Sequence, residues 1–180
     1  MNLELDKQFA RKVAIMLKSR LIWYKHYFLF CDEVIEGMAK PPYWIIELAD
    51  KKYIEDAIKI VNAYAFSEPF EAFPDSLYDF YVACLFIKCE RKQVSWASFL
   101  KEAGDFADGY QAVKHDCEFF YFMLNDFEDS EYAIDLELKQ KEVIKNSFKN
   151  EIQDVHNFYA PFTTYFRKYV QLQKTNHPLN

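Results

Sequence analysis

Apolar side chains recur along this chain at helical spacing, with few alternating runs of the strand type. Phe9, Val13, Met16 and Leu17 follow that spacing and lead into Arg20–Trp23, which predicts helix from Leu5 to Phe30. The stretch "CDEVIEGMAK" reads as a short helix with Asp32 as its cap and Gly37 weakening its end. Pro41-Pro42 breaks the chain, and "YWIIELAD" is short enough for helix or strand; the lack of a partner strand favours helix. From Lys52 to Phe66, Ile54, Ile58, Val61 and Ala65 share one face, and "SEPFEAFP" follows as a proline-punctuated loop. Asp75 or Ser76 can cap a helix running to about Lys92, whose apolar residues cover most of its surface and place it centrally. Ser95 can cap the next, with Glu102 and Asp105 outward, and Gly109 ends it. Tyr110 to about Phe127 predicts another helix, "EDSE" a turn, and Tyr132 to Phe158 a long amphipathic helix. Pro161 is expected to break or kink it before a last helix, "FTTYFRKYVQLQK", and residues 175–180 read as a loose tail.

These elements describe an all-α fold: one domain over residues 1–180, a globular bundle of about six to eight helices. The heptad pattern is not sustained, which argues against an extended coiled coil, and no internal repeat appears. Composition supports a packed interior, since aromatics make up 19% of the chain (18 Phe, 13 Tyr, 3 Trp). Only three glycines are present, Gly37, Gly104 and Gly109. A glycine-rich phosphate loop is therefore excluded, with the Rossmann, P-loop and kinase-type sites that need one, and few positions can take positive φ cheaply. Cys31, Cys84, Cys89 and Cys117 form no C-x-x-C pair, which points to free, mostly buried thiols in a reducing, cytoplasmic setting. The N-terminal stretch is charged throughout, and "LIWYKHYFLF" is too short and polar to cross a bilayer, so no membrane association is expected.

Charge separates along the chain. Net charge is −6, yet Glu102–Glu137 carries eleven acids against Lys114 alone, giving −10, and the remainder sums to +4. An acidic region repels nucleic acid and attracts basic partners. Cations do lie near aromatics in two places: Arg11, Lys18, Arg20 and Lys25 near Trp23 and Tyr24, and Arg167, Lys168 and Lys174 near Tyr165 and Tyr169. Both read as solvated helix faces, and nucleic acid is not the expected partner.

Candidate chemistry is sparse. The residues three before His26, His115, His156 and His177 are Trp23, Ala112, Gln153 and Lys174, so the Glu-x-x-His of helical di-iron sites is absent. No His-Glu-x-x-His, Gly-x-Ser-x-Gly or Ser-x-x-Lys occurs. His115-Asp116 remains. A His-Asp doublet in a helical chain resembles the HD-domain phosphohydrolases. That resemblance, two residues long, implies a divalent metal held by His115 and Asp116 with a further upstream His and downstream Asp. The nearest upstream histidine is His26, and the downstream acids Asp126, Asp129 and Asp135 belong to the acid-rich segment. The competing reading makes the doublet a polar first helical turn. Behind it, Val113, Cys117, Phe120, Leu124 and Phe127 form one stripe, widened by Phe119, Phe122 and Met123 almost around the helix. Such a helix is buried by neighbours or by a partner, and core is the expectation here.

The functional expectation is a non-catalytic protein-binding module, without cofactor, that uses its acidic segment against a basic protein. It resembles, at the level of class, small acidic helical immunity proteins that neutralise a basic toxin by occlusion. Candidate contact residues are Glu102, Asp105, Asp108, Asp126, Glu128, Asp129 and Glu131, with Tyr110 and Tyr132 as aromatic anchors. The alternatives are a metal-dependent phosphohydrolase using His115 and Asp116, and a helical pocket for a hydrophobic ligand.

Overall fold

The structure, a computed structural model, describes residues 4–109 and 111–176. Among them the chain is all-α, with nine helices and no strand, one helix more than the upper expectation. The helices are α1 (Lys7–Lys18), α2 (Tyr24–Gly37), α3 (Tyr43–Ala49), α4 (Ile54–Ala65), α5 (Ser76–Glu90), α6 (Trp96–Asp108), α7 (Cys117–Asp129), α8 (Ile134–Ser147) and α9 (Lys149–Asn176). Residues 1–72 with 157–180 cluster as one compact unit and residues 73–156 as another, so α9 contributes residues to both. Thr175 and Asn176, placed in the tail by sequence, lie in α9, and residues 177–180 are outside the described residues.

Helix ends account for most differences from the sequence reading. The helix expected over Leu5–Phe30 stops at Lys18, because Arg20 turns to φ 60° while the Leu21 N–H reaches back to the Met16 carbonyl at 3.0 Å. The same six-to-one closure ends α5 at Lys92 (φ 58°, Gln93 N–H to Lys88 O, 3.0 Å) and α7 at Glu131 (φ 54°, Tyr132 N–H to Phe127 O, 2.9 Å). Glycine normally fills the left-handed position of this motif. Here Arg, Lys and Glu do, and no described glycine has positive φ. Asp32, expected as a cap, lies inside α2. The long helix expected over Tyr132–Phe158 divides at Phe148, and Pro161 sits within α9, where Thr163 and Thr164 hydroxyls donate to the Ala160 carbonyl at 3.0 and 2.9 Å.

In the first unit α1 packs on α4, α2 on α3, and α3 on α4. Asp6 caps α1 by accepting from the Phe9 N–H at 2.7 Å. The Phe9 ring stands 5.8 Å from Phe30 and 4.6 Å from Phe158, and Phe30 stands 4.4 Å from Phe162. Offset and tilted pairs of this kind add to the area that each ring buries. Lys7 is buried and donates to the carbonyls of Ser67 (2.8 Å) and Pro69, pinning the proline loop. Trp44 is buried too, but its indole N–H has no acceptor among the described residues. Such orphans are uncommon and ask for an explanation.

In the second unit α5 is buried along nearly its whole circumference, as its sequence predicted. Phe86 meets Phe99 at 5.8 Å, Trp96 stacks on Phe99 at 4.8 Å, and Tyr81 lies 4.1 Å from Phe106. Ser95 caps α6, accepting from the Ser98 N–H at 3.1 Å. Helix α7 lies so close to α6 that a Cβ on Gly104 would come within 2.5 Å of the Tyr121 ring. Helix α8 is tied in by the buried Gln140, which accepts from Trp96 Nε1 (2.7 Å) and donates to the Met123 carbonyl (2.8 Å).

Candidate protein-binding surface

The acids chosen from the sequence all lie in the second unit, as does Tyr132, while Tyr110 is outside the described residues. They divide into two groups. The α6 acids are engaged within the fold. Glu102 accepts from the Tyr81 hydroxyl at 3.3 Å, Asp105 from Lys101 Nζ at 2.6 Å and the Tyr121 hydroxyl at 2.9 Å, and Asp108 lies 3.6 Å from Cys117 Sγ. The hydrogen bonds from Lys101 and Tyr121 hold the Asp105 carboxyl below the usual carboxylate range. Desolvation, then the bond to Asp105, pushes the Tyr121 phenol up to about 12.

The second group closes α7. Asp126, Glu128, Asp129 and Glu131 are exposed, and their carboxylates make no hydrogen bond or ion pair to the described residues. From Asp116 to Glu137 there are eight acids and no lysine or arginine, so no cation of their own segment neutralises them. Glu118, Phe122, Asp126 and Asp129 follow steps of 4, 4 and 3 and therefore share one face of α7. Phe122, at 63% exposure, stands in the middle of that face.

This corrects the expectation that the α7 stripe is core throughout. Phe120 and Phe127 are buried, Cys117, Phe119, Met123 and Leu124 are half-buried, and Phe122 faces water. Immediately after the helix, Tyr132 has φ 63° and 57% exposure, with its ring 5.4 Å from Phe127 in an edge contact. Two successive left-handed residues without glycine are uncommon, and each costs about 1–3 kcal/mol. Ser130 supports the turn, its hydroxyl donating to the Phe127 carbonyl (2.8 Å) and accepting from the Ala133 N–H (3.2 Å). On α8, Ile134 and Leu138, one helical turn apart, are 73% and 61% exposed. Phe122, Ile134 and Leu138 were not among the sequence candidates. Phe122 could have been found by noticing the acids four residues to either side, which keep its face in water.

The His-Asp doublet is not in a helical turn. Residues 111–115 are non-helical and Asp116 is the N-cap of α7, accepting from the Phe119 N–H at 3.0 Å. The His115 ring stacks on Phe119 at 3.8 Å and 10°. Burial first, then the neighbouring Lys114 charge, lowers the His115 pKa. His26 belongs to the first unit, where its ring lies 4.8 Å from Phe166. Among the described residues no group of three or more His, Cys, Asp or Glu side chains is arranged to hold a metal ion.

Buried Asp79 and half-buried Glu151 meet at the neighbouring Lys114, which nothing in the sequence singles out. Its backbone N–H donates to Asp79 Oδ1 at 2.9 Å, and its Nζ donates to the Ser147 carbonyl at 3.1 Å. Nζ also lies 2.9 Å from Glu151 Oε2, an ion pair outside hydrogen-bond alignment. Burial raises the Asp79 pKa against the opposing pull of Lys114. This cluster ties the α6–α7 connection to α5 and to the start of α9, which steadies the N-terminus of α7.

No described helix is long and apolar enough to cross a membrane. Comparison with protein-family models, with curated proteins and with solved structures finds no match to this chain.

Proposed function

We propose that the protein is a non-catalytic protein-binding module whose outer α7 face and α7–α8 turn dock on a basic protein. One observation carries the reading: four unpaired carboxylates, Asp126, Glu128, Asp129 and Glu131, lie beside the exposed rings of Phe122 and Tyr132. Unpaired surface acids steer a cationic partner and raise the association rate, while exposed aromatic rings supply the buried anchors that slow dissociation. The strained Glu131-Tyr132 turn supports the same reading, because glycine at Glu131 would relieve the backbone and remove a contact group. The function is occlusion of a basic toxin or effector, in the manner of an immunity protein. The α6 acids contribute long-range field and helix packing, and the contacts come from α7 and its turn. The cytoplasm suits four cysteines that are all free thiols.

The test begins with affinity capture from the native cell and isolation of a basic binder. Association kinetics are then followed from low to high salt. Reversal of Asp126, Glu128, Asp129 and Glu131 to lysine is expected to slow association at least tenfold at low salt, with the difference shrinking as salt rises. Unchanged affinity, on-rate and salt dependence would end this reading.

A further inference from the structure

In the first unit a cleft of about 440 Å³ opens between α3 and α4. Tyr43, Trp44 and Tyr64 contribute three aromatic rings to it, Pro42 and Ile60 add apolar wall, and Glu47 is its only charged residue. The aromatic wall is preorganised: Trp44 stacks on Tyr64 at 5.4 Å and 17°, and the Tyr64 hydroxyl is anchored on the Leu5 carbonyl at 3.4 Å. The Glu47 carboxylate makes no hydrogen bond or ion pair to the described residues. Tyr43 stands at the rim, largely exposed.

We infer that this cleft binds a methylated ammonium ion. The chemistry of the lining selects that class. An anion is repelled by Glu47. A bare metal ion needs several oxygen ligands and finds one carboxylate. A neutral apolar ligand covers Glu47 and gives it nothing in return. A methylated ammonium spreads its charge over methyl groups, which rest on ring faces and are attracted by the ring quadrupoles, while Glu47 supplies the opposite charge. The site lies in the first unit and does not depend on the protein-binding surface of the second.

Three probes titrated into the full chain decide the matter, with binding followed by heteronuclear NMR shifts of the Trp44 indole and α3–α4 amides. They are choline, tetramethylammonium, and 3,3-dimethylbutan-1-ol, the neutral isostere of choline. Choline and tetramethylammonium are each expected to saturate these shifts and to bind roughly tenfold more tightly than the isostere. Glu47→Gln is expected to weaken choline several-fold and leave the isostere unchanged, and Tyr43→Ala to weaken both cations. Both side chains lie at the protein surface, and far-ultraviolet circular dichroism checks that the variants keep the fold. Equal or tighter binding of the isostere would overturn the inference in favour of a plain apolar cleft. Failure of choline to saturate at tens of millimolar would overturn it outright.

Discussion

Helices α5 and α7 begin from similar sequences and end in different environments. Each is apolar around most of its circumference. In α5, twelve of the fifteen residues are buried, whereas in α7 only Phe120 and Phe127 of thirteen are. The difference lies in the charges between the apolar positions. Helix α5 carries Asp79 and Lys88, both buried, and Asp79 is matched to the Lys114 N–H. Helix α7 carries Glu118, Asp126, Glu128 and Asp129, which have no cation within their segment. Burying four unpaired carboxylates is prohibitively costly, so that face stays in water and keeps Phe122 there with it. An apolar circumference thus says that a helix gains from cover, while the interspersed charges decide whether the chain itself supplies it.

The sharpest way to break this comparison is to truncate one ring from each helix. Phe86→Ala removes a fully enclosed ring and is expected to cost about 3–5 kcal/mol. Phe122→Ala is expected to stay within about 0.5 kcal/mol of the parent in stability, and to speed dissociation of a bound partner. Denaturant midpoints at unchanged m-value check the first pair of values. A Phe122→Ala variant as damaged as Phe86→Ala would show that the α7 face is structural cover, and the contrast would collapse.

A smaller effect concerns the tie that holds α8. Gln140→Leu keeps the volume but leaves Trp96 Nε1–H without its acceptor and the Met123 carbonyl without its donor. Each buried group left unsatisfied costs about 1–3 kcal/mol. Hydrogen exchange is expected to speed up in α8 and across the α7–α8 turn while the α5 amides keep their protection. Equal acceleration in α5 would mean that the second unit opens as one body, making the α5–α7 distinction one of exposure alone and not of local stability.

The all-helical class was legible because 3.6-residue periodicity runs through most of the chain, and the burial of α5 because its apolar positions leave no polar face. Ser95 as a cap was legible from its type and place. The end at Arg20 was not, since a charged residue stands where glycine would have announced the turn. Asp116 looked like half of a metal pair because a cap and a ligand use the same carboxylate; only the Phe119 N–H distinguishes them. Within the acidic segment the total charge was legible, but not that Asp105 also takes the Tyr121 hydroxyl while Asp126 and Asp129 take no described partner. The Lys101–Asp105 pair is an i, i+4 helix neighbour, but the Tyr121–Asp105 and Tyr81–Glu102 bonds span 16 and 21 positions and depend on the fold.

The smallest expected effect tests the turn that carries the comparison to its functional end. Glu131 holds the left-handed position that closes α7, and glycine there removes the Cβ conflict without touching the Tyr132-to-Phe127 closure. Glu131→Gly is expected to raise stability by about 0.5–1 kcal/mol, since the relief of strain exceeds the entropy that glycine adds to the unfolded chain. The same change deletes one steering carboxylate and is expected to lower the association rate with a basic partner by a small factor, an effect that disappears at high salt. Stability and binding therefore move in opposite directions under one substitution. A packing role for Glu131 predicts the reverse, a loss of stability with binding unchanged, so thermal unfolding and low-salt association kinetics on this one variant separate the two accounts.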